Sequence, residues 1–238
     1  MGVVRDEGGQ QFTARRGLIV GSLGVAVAAT AALWPTRTTL GEHDGDASTP
    51  IERDAAWLLE SGIATEEESG RSLTDPVTRE EIAVYLFRLA GSPNYPDPQQ
   101  EPYRDVTAKS TNFREIMWMR GQAIAFGAFD ATFRPTELVS RGEMCAFLSR
   151  MLHVHLERHL AESGGALHAS IGEFSDVHAT HRYARPIQWA RECGLIDEVM
   201  LLAAPAASDG EAPAFHPDAD LQRGHLAHLL RGAEGLFA

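Results

Sequence analysis

The chain of 238 residues is long enough for one or two domains, and with 44% hydrophobic and 23% charged residues it can build a core. Twenty-one basic residues against 33 acidic ones leave a net charge of −12, which excludes a non-specific nucleic-acid binder because that role needs a basic footprint. Two cysteines exclude both a disulfide-dense scaffold and a four-cysteine zinc site. Lysine occurs once, at Lys109, so almost every cation is a planar guanidinium suited to carboxylate and phosphate.

The first element in chain order is an apolar, small-residue run from Leu18 to Trp34, preceded by Arg15-Arg16 and stopped by Pro35. Its 17 residues stand at the lower limit of the span needed to cross a bilayer. With the basic pair in front and Ala29-Thr30-Ala31 as a small-x-small site, residues 1–34 read as a signal peptide or membrane anchor, and the adjacent arginines resemble a twin-arginine signal. A general secretory signal is the alternative. Residues 35–41 read as a flexible spacer, so fold reasoning starts at residue 42.

From there the chain repeats itself three times. Trp57, Trp118 and Trp189 stand 61 and 71 residues apart, and each is preceded thirteen residues earlier by an aspartate: Asp44, Asp105, Asp176. The last two lie in Tyr103-Arg104-Asp105-Val106 and Phe174-Ser175-Asp176-Val177. Downstream come Phe133-Arg134-Pro135 and Phe215-His216-Pro217, each followed six residues after its proline by an arginine, Arg141 and Arg223; Arg79 takes that place in the first unit. The units are 42–91, 103–153 and 174–232, the third carrying a loop insertion over 199–214.

Each unit reads as helix–loop–helix. In the second unit Phe113, Ile116, Met117 and Ile124 recur at helical spacing, ending at a turn around Gly127. The second helix opens on a capping box, Thr78-x-x-Glu81 or Ser140-x-x-Glu143, with a hydroxyl at the N-cap and a carboxylate three residues on. Two helices of about 12 residues cannot enclose a core alone, so the units must pack on one another. The expected fold is all-α, with the repeats packed around a pseudo-threefold axis behind the N-terminal signal or anchor helix. Between units, Ser92 to Pro102 carries four prolines and Gly164-Gly165 breaks the chain again.

The aromatic-x-Asp-Val opening, the turn Gly127-Ala128-Phe129-Asp130-Ala131-Thr132-Phe133-Arg134-Pro135 and the helix start Ser140-Arg141-Gly142-Glu143 together resemble the S-layer homology (SLH) domain. Unit two, from Tyr103 to His153, fits best; unit three has His225 where the glutamate belongs, and unit one lacks the aromatic opening and the Phe-x-Pro turn. The resemblance implies three SLH-like repeats whose grooves bind cell-wall polysaccharide, often a secondary cell wall polymer carrying pyruvate ketals. It also implies an exported, non-catalytic cell-surface protein that needs no cofactor, with the membrane involved only through the N-terminal segment.

The residues themselves allow two readings. Arg79, Arg141 and Arg223 sit in the first turn of a helix, where the macrodipole disfavours a cation. An anion shared with the exposed backbone N–H groups would relieve that cost, and a carboxylate-bearing sugar would supply one. An inter-unit salt bridge would do so equally. Asp105 and Asp176 could accept bonds from sugar hydroxyls or cap a first helix, while Phe113 and Tyr183 are the aromatic residues near them that could cover a sugar ring. The tryptophans read as packing residues.

Other chemistry has little footing. No nucleophile elbow, phosphate loop or dinucleotide fingerprint occurs. Nine of the ten histidines follow residue 150, and His155 and His159 would share a helix face, but Leu156 stands where a zinc hydrolase needs its glutamate. Cys145 and Cys193 could pair outside the cytoplasm. Two further readings remain beside wall attachment: a scaffold for an envelope protein partner and, more distantly, a zinc-dependent hydrolase.

Overall fold

The computed structural model describes residues 48–153, 157, 174–201 and 212–236. The expected leader, the spacer, Asp44, His155 and His159 lie outside them. Among the described residues the chain is helical, without strands, and no helix is long and apolar enough to cross a membrane.

Helix α1 (Pro50–Glu60) starts at Thr49, whose hydroxyl accepts from the Glu52 amide while the Glu52 carboxylate takes the Thr49 N–H. The short α2 (Glu66–Ser69) follows with the same reciprocal cap, Thr65 with Glu68. The expected box at Thr78–Glu81 opens α3 (Arg79–Leu89). Helix α4 (Phe113–Gly121) has no side-chain cap. At α5 (Arg141–Met151) only half of the expected box forms: Ser140 accepts from the Glu143 amide, but the Glu143 carboxylate turns to Arg79. Helices α6 (Ala184–Glu192), α7 (Glu198–Leu201) and α8 (Arg223–Leu236) complete the described set.

The long helices of one sequence unit do not form a hairpin. The principal helix pairs are α3 with α4, α5 with α6, and α8 with α1. Each second helix therefore packs on the first helix of the following unit, and the last returns to the first. The reason lies in the connection within a unit, which is no short turn. Residues 122–140 bury Phe133 and Val139 and pair with neighbouring backbone, holding α4 and α5 apart.

These connections meet at the centre of the molecule. Val139 donates its N–H to the Val77 carbonyl at 2.9 Å, Val77 to Leu221 at 3.1 Å, and Leu221 back to Val139 at 2.8 Å, closing a three-membered ring of backbone bonds. All three side chains are fully buried. Isolated bridges Thr78–Leu138, Ser140–Asp220 and Pro76–Gln222 flank the ring. Beyond it, each second helix has its orphan N-terminal amides satisfied by a neighbouring connection. Arg79 and Glu80 donate to the Glu137 and Pro135 carbonyls, Arg141 and Gly142 to Ala219 and Pro217, Arg223 and Gly224 to Asp75 and Leu73. The core runs continuously through these junctions and takes in Trp118, edge-on to Phe87 with centroids 5.4 Å apart, and the fully buried Trp189.

Candidate functional site

The three arginines occupy matching places at the junctions, and all three are buried. The Nε of Arg79 donates to the Phe133 carbonyl at 2.8 Å, its guanidinium lies 4.9 Å from the Phe133 ring, and Nη1 pairs with Glu143 of the next second helix. Arg141 repeats the pattern on Phe215, 2.8 Å to the carbonyl and 4.8 Å to the ring. Here the next helix offers His225 instead of a carboxylate, its Nδ1 3.0 Å from Nη1, and Nη2 donates to the Met200 carbonyl at 2.8 Å. Arg223 pairs through Nη2 with Glu81 and through Nη1 with the Tyr85 hydroxyl. The repeated arginines thus bind the repeated N3 position of the neighbouring helix from buried junctions, the inter-unit contact being one of the two readings open from the sequence.

The aspartates reach the same peptides from the other side. Asp105 accepts from the Phe133 and Arg134 amides at 2.8 and 2.7 Å, and Asp176 from Phe215 and His216 at 2.8 and 2.6 Å. They cap no helix. Each pins the turn that presents a phenylalanine carbonyl to an arginine, which explains why aspartate, phenylalanine and arginine recur together. Phe113 is buried in the core and offers no face to solvent. Tyr183 is half-buried at the start of α6, lies against Gly142, and has the Arg182 guanidinium 4.6 Å from its ring.

An open polar groove of about 500 Å³ runs past the start of α3, lined among others by Arg71, Thr78, Glu80, Glu81, Arg88 and Asn112, with Arg223 at its base. Arg71 bonds Glu81 at 2.6 Å with nearly half of its side chain exposed, and Arg88 bonds Glu68 at 2.7 Å. Burial pushes the Glu81 carboxyl up, but the Thr78 amide and the Arg223 guanidinium outweigh it and hold Glu81 below the usual carboxylate range. Asn112 stands at the N-cap of α4 as Tyr183 does at that of α6, so the two occupy matching positions beside successive second helices. Sequence reading missed Arg71 and Arg88. Arg71 could have been found, since it stands where the other units have the phenylalanine of Phe-x-Pro.

A second polar cluster closes the contact between α8 and α1. His228 places Nδ1 2.6 Å from Asp54 and Nε2 2.9 Å from Asp197, while Arg231 bonds Asp54 at 2.7 Å. Burial alone would lower the imidazole pKa, but the two carboxylates raise it to about 9. His225, one turn away, is driven down to about 4 by burial, by Arg141 and by the His228 charge. Cys145 is buried in α5, and burial pushes its thiol up to about 12. No cluster of metal-ligating side chains occurs among the described residues.

Residues 102–145 match the family model of the S-layer homology domain. Over that segment the chain is similar to an SLH domain. The matched segment opens with the Tyr103–Val106 string and ends in the first turns of α5, so it spans α4, the Asp105-pinned turn and Arg141. SLH domains are in general cell-wall and cell-surface binding modules, typically without catalytic activity. No curated protein matches the chain.

Proposed function

We propose that the protein is an exported, non-catalytic cell-surface component, built of three SLH-like repeats in a pseudo-threefold arrangement, that attaches to an acidic or pyruvylated wall polysaccharide. The repeats are 42–91, 103–153 and 174–232, the first degenerate and the third carrying the insertion at 199–214. The cyclic backbone bonds of Val77, Val139 and Leu221 support the threefold reading. In this reading Arg79, Arg141 and Arg223 act from beneath, holding neighbouring units together, with Asp105 and Asp176 fixing the turns. The polymer lies in the grooves above them.

The observation that carries the proposal is the polar groove beside α3, in a chain whose residues 102–145 match the SLH family model. Arg71 is its accessible cation. A ketal carboxylate can replace Glu81 as the partner of Arg71, because Glu81 keeps its bonds to Thr78 and Arg223. Tyr183 offers an aromatic face at the matching place beside α5, where the sugar ring's apolar side can rest. Co-sedimentation of the purified protein with isolated cell walls tests this. Arg71→Ala should weaken binding at least tenfold, and walls stripped of the acidic polymer should retain little protein. Unchanged retention in either case overturns it.

A second reading, an SLH-derived scaffold for an envelope protein, draws support from the burial of all three arginines. Retention on stripped walls that still carry protein would favour it.

A further inference from the structure

Two of the three arginine junctions are filled by one phenylalanine residue, which gives both its ring and its carbonyl to the arginine: Phe133 to Arg79 and Phe215 to Arg141. Each ring is almost fully buried and packs on a second aromatic ring, Tyr103 or Phe174, with centroids 5.5 Å apart. The backbone register fixes which residue stands there at the third junction. Glu80 donates to Pro135 and Gly142 to Pro217, two residues beyond Phe133 and Phe215; Gly224 donates to Leu73, two residues beyond Arg71.

Arg71 supplies no ring, and its side chain turns outward to Glu81. At this junction Arg223 is 93% buried, at 7% relative exposure, and its Nε has no hydrogen-bond partner among the described residues, the Arg71 carbonyl included. Leaving a buried N–H unmatched costs stability, and such groups are rare. Beside it lies a cavity of about 250 Å³ whose walls include Ala55, Leu58, Ala64, Leu226 and Ala227. An apolar cavity of about 150 Å³ is already enough for a benzene ring.

We infer that this cavity is a binding site for a small neutral aryl-propanoyl compound, an aromatic ring separated by two carbons from an amide or ester carbonyl. That is the spacing between ring and carbonyl within a phenylalanine residue, the group that meets the equivalent arginine at the other two junctions. The ring takes the apolar walls and the carbonyl accepts from Arg223 Nε. A neutral carbonyl suits the site better than a carboxylate, because Glu81 already pairs with Arg223 and Glu68 stands in the wall. The cavity adjoins the polar groove and shares Glu68, Arg71 and Arg223 with it; the inference rests on the Arg223 Nε and the apolar walls and does not depend on polysaccharide binding.

Titration of the full chain with 3-phenylpropanamide, followed calorimetrically, tests it. The expected result is saturable one-to-one binding with a Kd of about 1 mM or tighter, with propanamide silent. Arg71→Phe, which restores the aromatic residue of the other junctions, should weaken binding more than tenfold and raise the Tm. Ala55→Phe, which fills the cavity from α1, should also weaken it more than tenfold. Arg223→Lys keeps a cation for Glu81 without an Nε–H, so it should weaken the amide about tenfold while leaving toluene binding unchanged. Absence of saturable binding by the wild-type chain, or equal binding by folded Arg71→Phe and Ala55→Phe variants, overturns the assignment; circular dichroism establishes that the variants fold.

Discussion

Raising the pH from 6.5 to 9.5 should remove one proton from His228 and, with it, the charge that joins α8 to α1. The imidazolium is held between Asp54 on α1 and Asp197 ahead of α7, and Arg231 shares Asp54. Its folded pKa of about 9 lies above the ordinary 6.5 of an unfolded chain. A raised pKa contributes stability that is fully present below 6.5 and is lost as the pH climbs through about 9. At about 1.4 kcal/mol per pH unit the gap amounts to about 3 kcal/mol, with little solvent screening because His228 is almost fully buried. Urea denaturation followed by tryptophan fluorescence at pH 6.5, 7.5, 8.5 and 9.5, at fixed salt, measures it. The wild-type protein should lose about 3 kcal/mol more than His228→Gln across this range, the variant being less stable at pH 6.5 and nearly equal at pH 9.5. Parallel curves would refute the linkage, and with it the claim that His228 is charged in the folded protein at neutral pH.

On the acid side the neighbouring histidine has the opposite sign. His225 has a folded pKa of about 4, below the unfolded value, so it disfavours folding progressively from pH 6.5 down to 4. His225→Glu supplies Arg141 with the carboxylate that Arg79 and Arg223 already have; it should raise stability at pH 7 by about 1 kcal/mol in urea melts and flatten the decline between pH 6.5 and 5. Gly127 has φ of +78°, and an added Cβ would stand 2.5 Å from the Thr132 carbonyl oxygen and 2.6 Å from the Tyr103 ring. Gly127→Ala should therefore cost about 2 kcal/mol or more and lower the Tm by several degrees in calorimetry. Asp105→Ala leaves the Phe133 and Arg134 amides without their acceptor; a loss of about 3 kcal/mol is expected by denaturant titration, with Asp105→Asn recovering about half.

The local sequence determined what local physics can determine. Thr78 and Ser140 announce helix starts because a cap and its amide lie within four residues, and the buried faces of α4 and α5 follow from helical spacing. The recurrence of tryptophan, aspartate, Phe-x-Pro and arginine is legible in the sequence, and an aspartate that pins a phenylalanine turn must recur with that phenylalanine. Asp54 left a trace as well: a carboxylate four residues before the buried Leu58, on the stripe of α1 that faces the interior.

Tertiary structure decided the partners. Arg79 meets Glu143 across 64 residues, Arg141 meets His225 across 84, and Arg223 meets Glu81 across 142. No periodicity within one unit distinguishes those pairings from contact with a bound anion. The packing order belongs to the same level. A hairpin and a ring of exchanged helices bury the same apolar stripes, and what separates them is the central connection, whose amides and carbonyls find partners only when Val77, Val139 and Leu221 meet. The unfilled place beside Arg223 belongs to this level too: spacing sets Arg71 in line with Phe133 and Phe215, but packing decides that its side chain turns to Glu81 and that the Arg223 Nε is left unmet.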